Sequence, residues 1–219
     1  MSKSKKIASV AFTGATVAAA VGVAGAPAQA AASHWTITPG NSTNVGAANT
    51  APATMAAGSL SLFCASGAAV ANIHIVGNST SGSSVKLADI TSATFGASGG
   101  CSLFGIPFLA ALTQPAALWG VGPTVGGKTD GVLKNVNAHV AASSFFPCSF
   151  DVTGSLPGYY QNNAASTSNG KLVINPNGVF GLHVTNVTGC SGLIASSDNA
   201  AFQAEYTPAQ KVTVTHEAS

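Results

Sequence analysis

The chain has 219 residues, of which only 6% are charged, 46% are hydrophobic and 7% are aromatic. Its eight basic residues are all lysine, against six acids. With no arginine there is no cationic face for phosphates and no guanidinium fork for bidentate anion recognition, which excludes a nucleic-acid binder.

The first residues, Met-Ser-Lys-Ser-Lys-Lys, form a basic start, and an apolar run follows from Ile7 to about Ala26. Pro27-Ala28-Gln29-Ala30 then supplies an Ala-x-Ala site, so residues 1–30 read as a secretory signal peptide cut after Ala30, with Ala32 as the alternative. An uncleaved anchor is the competing reading of the same run. No cysteine follows closely enough for a lipid anchor, and the end, KVTVTHEAS, does not resemble a sorting tail. Processing removes Lys3, Lys5 and Lys6, so five lysines face six acids and the net charge becomes −1. The expected mature chain, residues 31–219, is one secreted domain large enough to bury roughly 70% of its unfolded surface. Low charge on a β-rich chain calls for closed or covered sheet edges.

In chain order, His34–Thr38 reads as a short strand with Trp35 and Ile37 on one face. Pro39–Pro52 is rich in Gly, Asn and Ser and reads as turn. Ser59–Cys64 alternates, Val70–Val76 is apolar around Asn72 and His74, Gly77–Ser84 is loop, and Val85–Phe95 holds strand before the Gly96–Gly100 turn. Leu103–Val121 is apolar but interrupted by Pro107, Gln114 and Pro115, so it reads as buried strand and turn or a short helix rather than a membrane span. A surface loop that touches lipid or a partner is the functional alternative for it. In Val132–Val140 strict alternation groups Leu133 with Asn135, Asn137 and His139. In Phe146–Leu156, Phe146, Cys148, Phe150, Val152 and Leu156 share one face, and Ser149, Asp151, Thr153 and Ser155 the other. Tyr159–Asn169 reads as loop. Lys171–Ile174 and Val179–Val187 read as a hairpin across Asn175-Pro176-Asn177-Gly178. Gly181–Tyr206 reads as strand, a turn at Cys190, a polar loop and a strand with Phe202, Ala204 and Tyr206 inward; Lys211–Thr215 closes the chain. Ten to twelve short strands with little helix predict an all-β antiparallel sandwich or barrel.

Four cysteines in an exported chain predict two disulfides. Of three pairings, nearest neighbours, Cys64–Cys101 and Cys148–Cys190, are preferred; a four-thiolate zinc site lacks paired C-x-x-C knuckles. Trp35 precedes Cys64 by 29 positions and Trp119 precedes Cys148 by 29, and both Cys101 and Cys190 sit in Gly-Cys-Ser. Two related halves, about 33–118 and 119–219, would explain this echo.

Two strings imitate catalytic motifs. Gly122–Thr129, GPTVGGKT, matches a phosphate-binding loop letter for letter, yet Asp130-Gly131 begins a helix badly and no strand supplies a magnesium acid, so nucleotide binding is not expected. Gly96–Gly100 matches the nucleophile elbow around Ser98, with Asp151 or Asp198 and His183 or His216 as conceivable partners, but glycines and Pro107 follow where a helix is needed. His34, His74, His139, His183 and His216 are scattered singly, which argues against a metal site. Two facing carboxylates for glycoside hydrolysis are weakly supported by Asp89, Asp130, Asp151, Asp198, Glu205 and Glu217, and Asp198 reads as a turn cap.

At Trp35-Thr36-Ile37-Thr38-Pro39-Gly40, and again at Gly189-Cys190-Ser191-Gly192 with Asp198, the chain resembles a group of small secreted actinobacterial proteins of uncharacterised activity. These have a W-T-x-x-P-G start, four cysteines and a C-terminal GC-x-G…D block. The middle, Leu103–Val140, departs from that pattern. The resemblance implies secretion and a shared β fold, and carries over no catalytic residue. The expectation is therefore a secreted or cell-wall-associated, non-enzymatic structural or binding module without cofactor, whose partner is a cell-surface component or an apolar ligand. An extracellular hydrolase and a lipid-binding barrel are the alternatives.

Overall fold

The computed structural model describes residues 34–39, 43–79, 82, 84–96, 100–142, 146–163 and 169–217. All of them belong to one compact unit, Ala31–Ser219. Residues 1–30, expected from the sequence to be a signal peptide, and Ser98 lie outside the described residues. The chain is all-β: the described residues form fifteen strand segments and a single 3-10 turn at Cys190–Gly192.

Thirteen of the fifteen segments form eight long staves, several of them broken in the middle. Stave one is β2 (Thr43–Asn49) with β3 (Ala53–Ala57), and stave two is β4 (Leu60–Cys64) with β5 (Ala69–Ile75). Stave three is β6 (Ser84–Phe95) with β7 (Cys101–Leu103), and stave four is β8 (Ile106–Leu112) with β9 (Ala116–Val121). Staves five and six are the unbroken β10 (Lys128–Ala142) and β11 (Cys148–Gln161). Stave seven is β12 (Lys171–Ile174) with β13 (Leu182–Gly189), and stave eight is β14 (Asn199–Pro208).

Each stave pairs antiparallel with the next, from β2–β5 and β3–β4 round to β12–β14 and β13–β14. Stave eight then returns to stave one, Tyr206 opposite Asn49 and Phe202 opposite Met55. The result is a closed up-and-down barrel. Closure abolishes free edges, which a chain this poor in charge cannot protect with lysines.

The sidedness follows the period of two. Phe150, Val152, Leu156, Val140, Leu182 and Val184 are buried, whereas Asp151, His139 and His183 face outward. An apolar inside and a polar outside is the reverse of a spanning β-barrel. No helix among the described residues is long and apolar enough to cross a membrane.

The two remaining segments, β1 (His34–Thr38) and β15 (Thr213–Glu217), pair with each other and close one end of the barrel as a ribbon. The ribbon is tied to three loops at that end. Trp35 exchanges backbone hydrogen bonds with Ser79, Thr124 N–H donates to His216 O at 3.1 Å, and the Asn162 amide bonds both backbone groups of Val214 at 2.6 and 2.8 Å. The Tyr160 hydroxyl reaches Val212 O at 2.8 Å from inside the barrel.

Both disulfides form as the spacing predicts, Cys64–Cys101 and Cys148–Cys190. Cys64 and Cys101 face each other across staves two and three, and Cys148 sits opposite Gly189, next to Cys190, across staves six and seven. Each bridge therefore joins the second and third staves of its set of four. The tryptophans differ: Trp35 is fully buried under the ribbon, while Trp119 lies half-buried on the outer wall beneath the Lys134 ammonium, 4.3 Å from its ring centre.

Four local expectations change. Thr43–Asn49 is strand rather than turn, because Val45, Ala47 and Asn49 face the core between staves two and eight. Stave six runs on through Gln161, since Tyr160 is needed inside. Asn175-Pro176-Asn177-Gly178 is no hairpin turn: Lys171–Ile174 and Leu182–Gly189 occupy one lane and run in the same direction along β11. Buried Asn175 closes the excursion on itself, its amide bonding Val179 O at 2.9 Å and Val179 N–H at 2.8 Å, so the chain loops out and rejoins its own stave. Finally, Leu133 points inward with Val136, Ala138 and Val140, because a bulge between Leu133 and Val136 resets the alternation.

Candidate functional site

The barrel interior is the first place to look for a ligand. It holds two small apolar voids stacked along the axis, about 70 Å³ and about 40 Å³, which share Ile73 and Leu172 on their linings. The larger is walled in part by Phe108, Ala110 and Leu112, from the apolar stretch 103–121. An apolar cavity of about 150 Å³ is what a single benzene occupies. Eight staves leave an interior that side chains fill, and here large inward residues such as Phe150, Leu156 and Leu182 fill it. Among the described residues the buried polar side chains of the staves include Tyr206, Tyr160, Asn49 and Thr129. Burial pushes both phenols well above the ordinary value of 10, against a smaller downward pull on Tyr160 from a Gly170 backbone hydrogen bond. Leu103–Val121 is thus wall and hairpin, β7, β8 and β9, with no helix.

The catalytic-looking strings resolve into ordinary structure. Gly122–Thr129 is the hairpin between β9 and β10, closed by Val125 and Lys128 bonding each other's backbone, with Gly126 and Gly127 at φ 59° and 76°. The Lys128 ammonium is engaged by Asp130 at 2.8 Å. Asp198 accepts from Ala195 N–H at 2.8 Å and so caps its turn. His183 bonds Asn199 at 2.9 Å, and His216 is buried at the ribbon.

Among the conceivable acid and histidine partners, only Asp151 meets a histidine, and it is His139, at 2.7 Å across staves five and six. The Asn186 amide donates to the other carboxylate oxygen at 2.7 Å. The hydrogen bonds from Asn186 and then His139 hold the Asp151 carboxyl below its usual value, outweighing the opposing effect of partial burial. The cluster lies on the open outer wall. The remaining lysine–acid contacts, Lys86–Asp89 and Lys171–Glu205, are surface ion pairs at 3.0 and 2.7 Å. Among the described residues no three His, Cys, Asp or Glu side chains converge as metal ligands.

The feature that breaks the regular wall lies elsewhere, on the outside of staves four to six. Between the pairs Lys134–Ala117 and Ala138–Leu112 the ladder of staves four and five opens. Stave four is interrupted there at Thr113, Gln114 and Pro115. On the other side of β10 the bulge places Asn135 at φ 59°, and Gly154 of β11 sits at φ 149°. A side chain at Gly154 would collide with the Gly181 carbonyl of stave seven, so the glycine permits the close approach. These irregularities coincide in an open groove of about 470 Å³.

Gln114, Asn135, Asn137, Thr153 and Ser155 present amides and hydroxyls along this groove, with Val136 as its floor. Thr113 fixes one of them: its hydroxyl donates to Asn137 Oδ1 at 2.8 Å, and its N–H bonds Asn137 O at 2.9 Å. Sequence reading missed this groove. The available signal was Leu133, an apolar residue out of phase in Val132–Val140, which is what a bulge looks like in one dimension.

At the opposite end from the ribbon, the β7–β8 hairpin lifts Phe104 into solvent, 92% exposed and at φ 47°. Phe63 and Leu109 are exposed on the staves beside it. No family model, curated protein or solved structure matches the chain.

Proposed function

We propose that the mature chain is a secreted, non-enzymatic binding module of the cell envelope or its surroundings, which engages its partner through the outer wall. The observation that carries this reading is the filled interior: voids of about 70 and 40 Å³ leave no room for an acyl chain. That disfavours the lipid-carrier alternative and moves recognition outside. The hydrolase alternative draws no support from His139–Asp151, an exposed pair locked by Asn186. A rigid closed barrel held by two disulfides is also a suitable platform outside the cell, where disulfides persist.

The test is retention. Mature protein, residues 31–219, is mixed with cell-wall fractions and, separately, with lipid extracts. Saturable retention by the cell-wall fractions is the expected result. Stoichiometric fatty-acid uptake, or turnover of ester or glycoside substrates, would replace this reading with one of the two alternatives.

A further inference from the structure

We propose that the groove across staves four to six is a binding site for a neutral, hydroxyl-rich ligand, a saccharide. The inference rests on the binding-module reading and names the ligand class for it. Its starting point is chemical. The polar side chains of the groove are amides and hydroxyls, and no charged residue is among those that line it. A carboxylated or phosphorylated ligand would need a cation there, and the adjacent Lys134 directs its ammonium over the Trp119 ring. A cationic ligand would need a carboxylate. An apolar ligand would strand the groove's own amides without water.

A polyol suits what remains. Each amide offers a donor and an acceptor side by side, and each sugar hydroxyl both gives and takes a hydrogen bond. Among the described residues, the side chains of Gln114, Asn135, Thr153 and Ser155 and the amide NH2 of Asn137 have no protein partner. Thr113 holds the Asn137 amide in place, so that donor is oriented before any ligand arrives. The Pro115 ring at the edge gives an apolar surface for the C–H face of a pyranose.

The backbone adds a second, independent argument. Three residues of β10, 135–137, lack ladder partners on stave four apart from the Thr113–Asn137 bond, and the bulge loosens the other side. Asn135 and Val136 thus have no ladder partner on stave four, while the Asn137 carbonyl is held by Thr113. A peptide strand is a poorer fit to this gap than a sugar: only Asn135 and Val136 lack a stave-four partner, whereas strand addition needs a continuous edge. Asn135 on the middle stave and Gly154 on stave six hold positive-φ backbone at the groove, the kind of local irregularity that gathers at ligand sites.

The experiment uses mature protein with intact disulfides against a panel of neutral oligosaccharides built from hexoses, pentoses and N-acetylhexosamines, alongside sulfated and uronic counterparts, read by calorimetry and by competition of cell-wall retention. The variants are Gln114→Ala, Asn135→Gly, which tolerates the same backbone conformation, and Thr153→Val. Asn72→Ala, on the outer face of stave two, is the control, and denaturation midpoints verify that each variant folds. The expected result is binding of a neutral oligosaccharide that weakens about two- to tenfold with each groove variant and is unchanged in the control. If cell-wall retention persists but neither sugars nor groove variants alter it, the groove assignment is overturned while the binding-module reading survives. Binding of charged glycans alone also overturns the assignment. Absence of retention together with absence of sugar binding overturns both.

Discussion

The Trp35 indole lies flat on the His216 imidazole, ring centres 4.0 Å apart and planes within 8°. The pair joins the first described strand to the last. Around it, the indole N–H reaches Gly82 O at 3.1 Å, and His216 Nδ1–H donates to Gly122 O at 2.6 Å. That bond fixes the tautomer and leaves Nε2 buried without a partner among the described residues. The stack rests on stave four at Gly120, where any Cβ would strike the indole.

Trp35→Ala is accordingly expected to destabilise the protein by about 3–5 kcal/mol, the usual cost of emptying a large aromatic site. Gly120→Ala should cost about 1–3 kcal/mol by overpacking the same contact. Urea denaturation followed by Trp fluorescence or circular dichroism measures both. A loss under 1 kcal/mol for Trp35→Ala would mean the ribbon contributes little to holding the barrel closed.

Each disulfide closes a loop of 37 or 42 residues. In the chain-entropy model each stabilises by about 4 kcal/mol. Cys64→Ala/Cys101→Ala and Cys148→Ala/Cys190→Ala should each lower stability by amounts of that order. Non-reducing peptide mapping checks the connectivity directly: a fragment joining Cys64 to Cys148 or Cys190 would contradict it.

The hydrogen bonds from Asn186 and His139 lower the folded-state pKa of Asp151 below its reference value of 3.8. A carboxyl with a depressed folded pKa stabilises the fold above its unfolded value, and that contribution disappears as pH falls through the lower folded value. Asp151→Asn should therefore be less stable than the parent at neutral pH, and the difference should shrink once pH drops below 3.8. Denaturation midpoints of the two proteins across the acid range show whether the curves converge.

Phe104 combines near-complete exposure with a left-handed backbone at φ 47°. A side chain there gains little burial, while the conformation costs about 1–2 kcal/mol relative to glycine. Phe104→Gly should fold with unchanged or higher stability, by up to about 1 kcal/mol. Thermal unfolding measures it. A clear destabilisation would show that the ring makes a contact that its exposure does not reveal.

What the sequence determined by itself was local. Parity placed Phe150 and Val152 inside and Asp151 outside, because residues two apart share a face of any strand. The nearest-neighbour preference gave Cys64–Cys101 and Cys148–Cys190, the pairing the structure has, since short loops close at the lower entropic cost. The all-β class followed from many short β-branched runs between turns.

The tertiary structure decided everything that depends on partners distant in the chain. Closure rests on Phe202 meeting Met55 and Tyr206 meeting Asn49, pairings more than 140 positions apart that no window of sequence contains. The same distance explains the errors. Gly46, Ala47 and Ala48 look like turn until stave eight lies beside them, and Asn175 looks like a hairpin until β11 is seen to continue along both flanks. The groove belongs to this second group. Its side chains come from three staves, and the bulge that gathers them is a mismatch between neighbours, a property that exists only once the strands are paired.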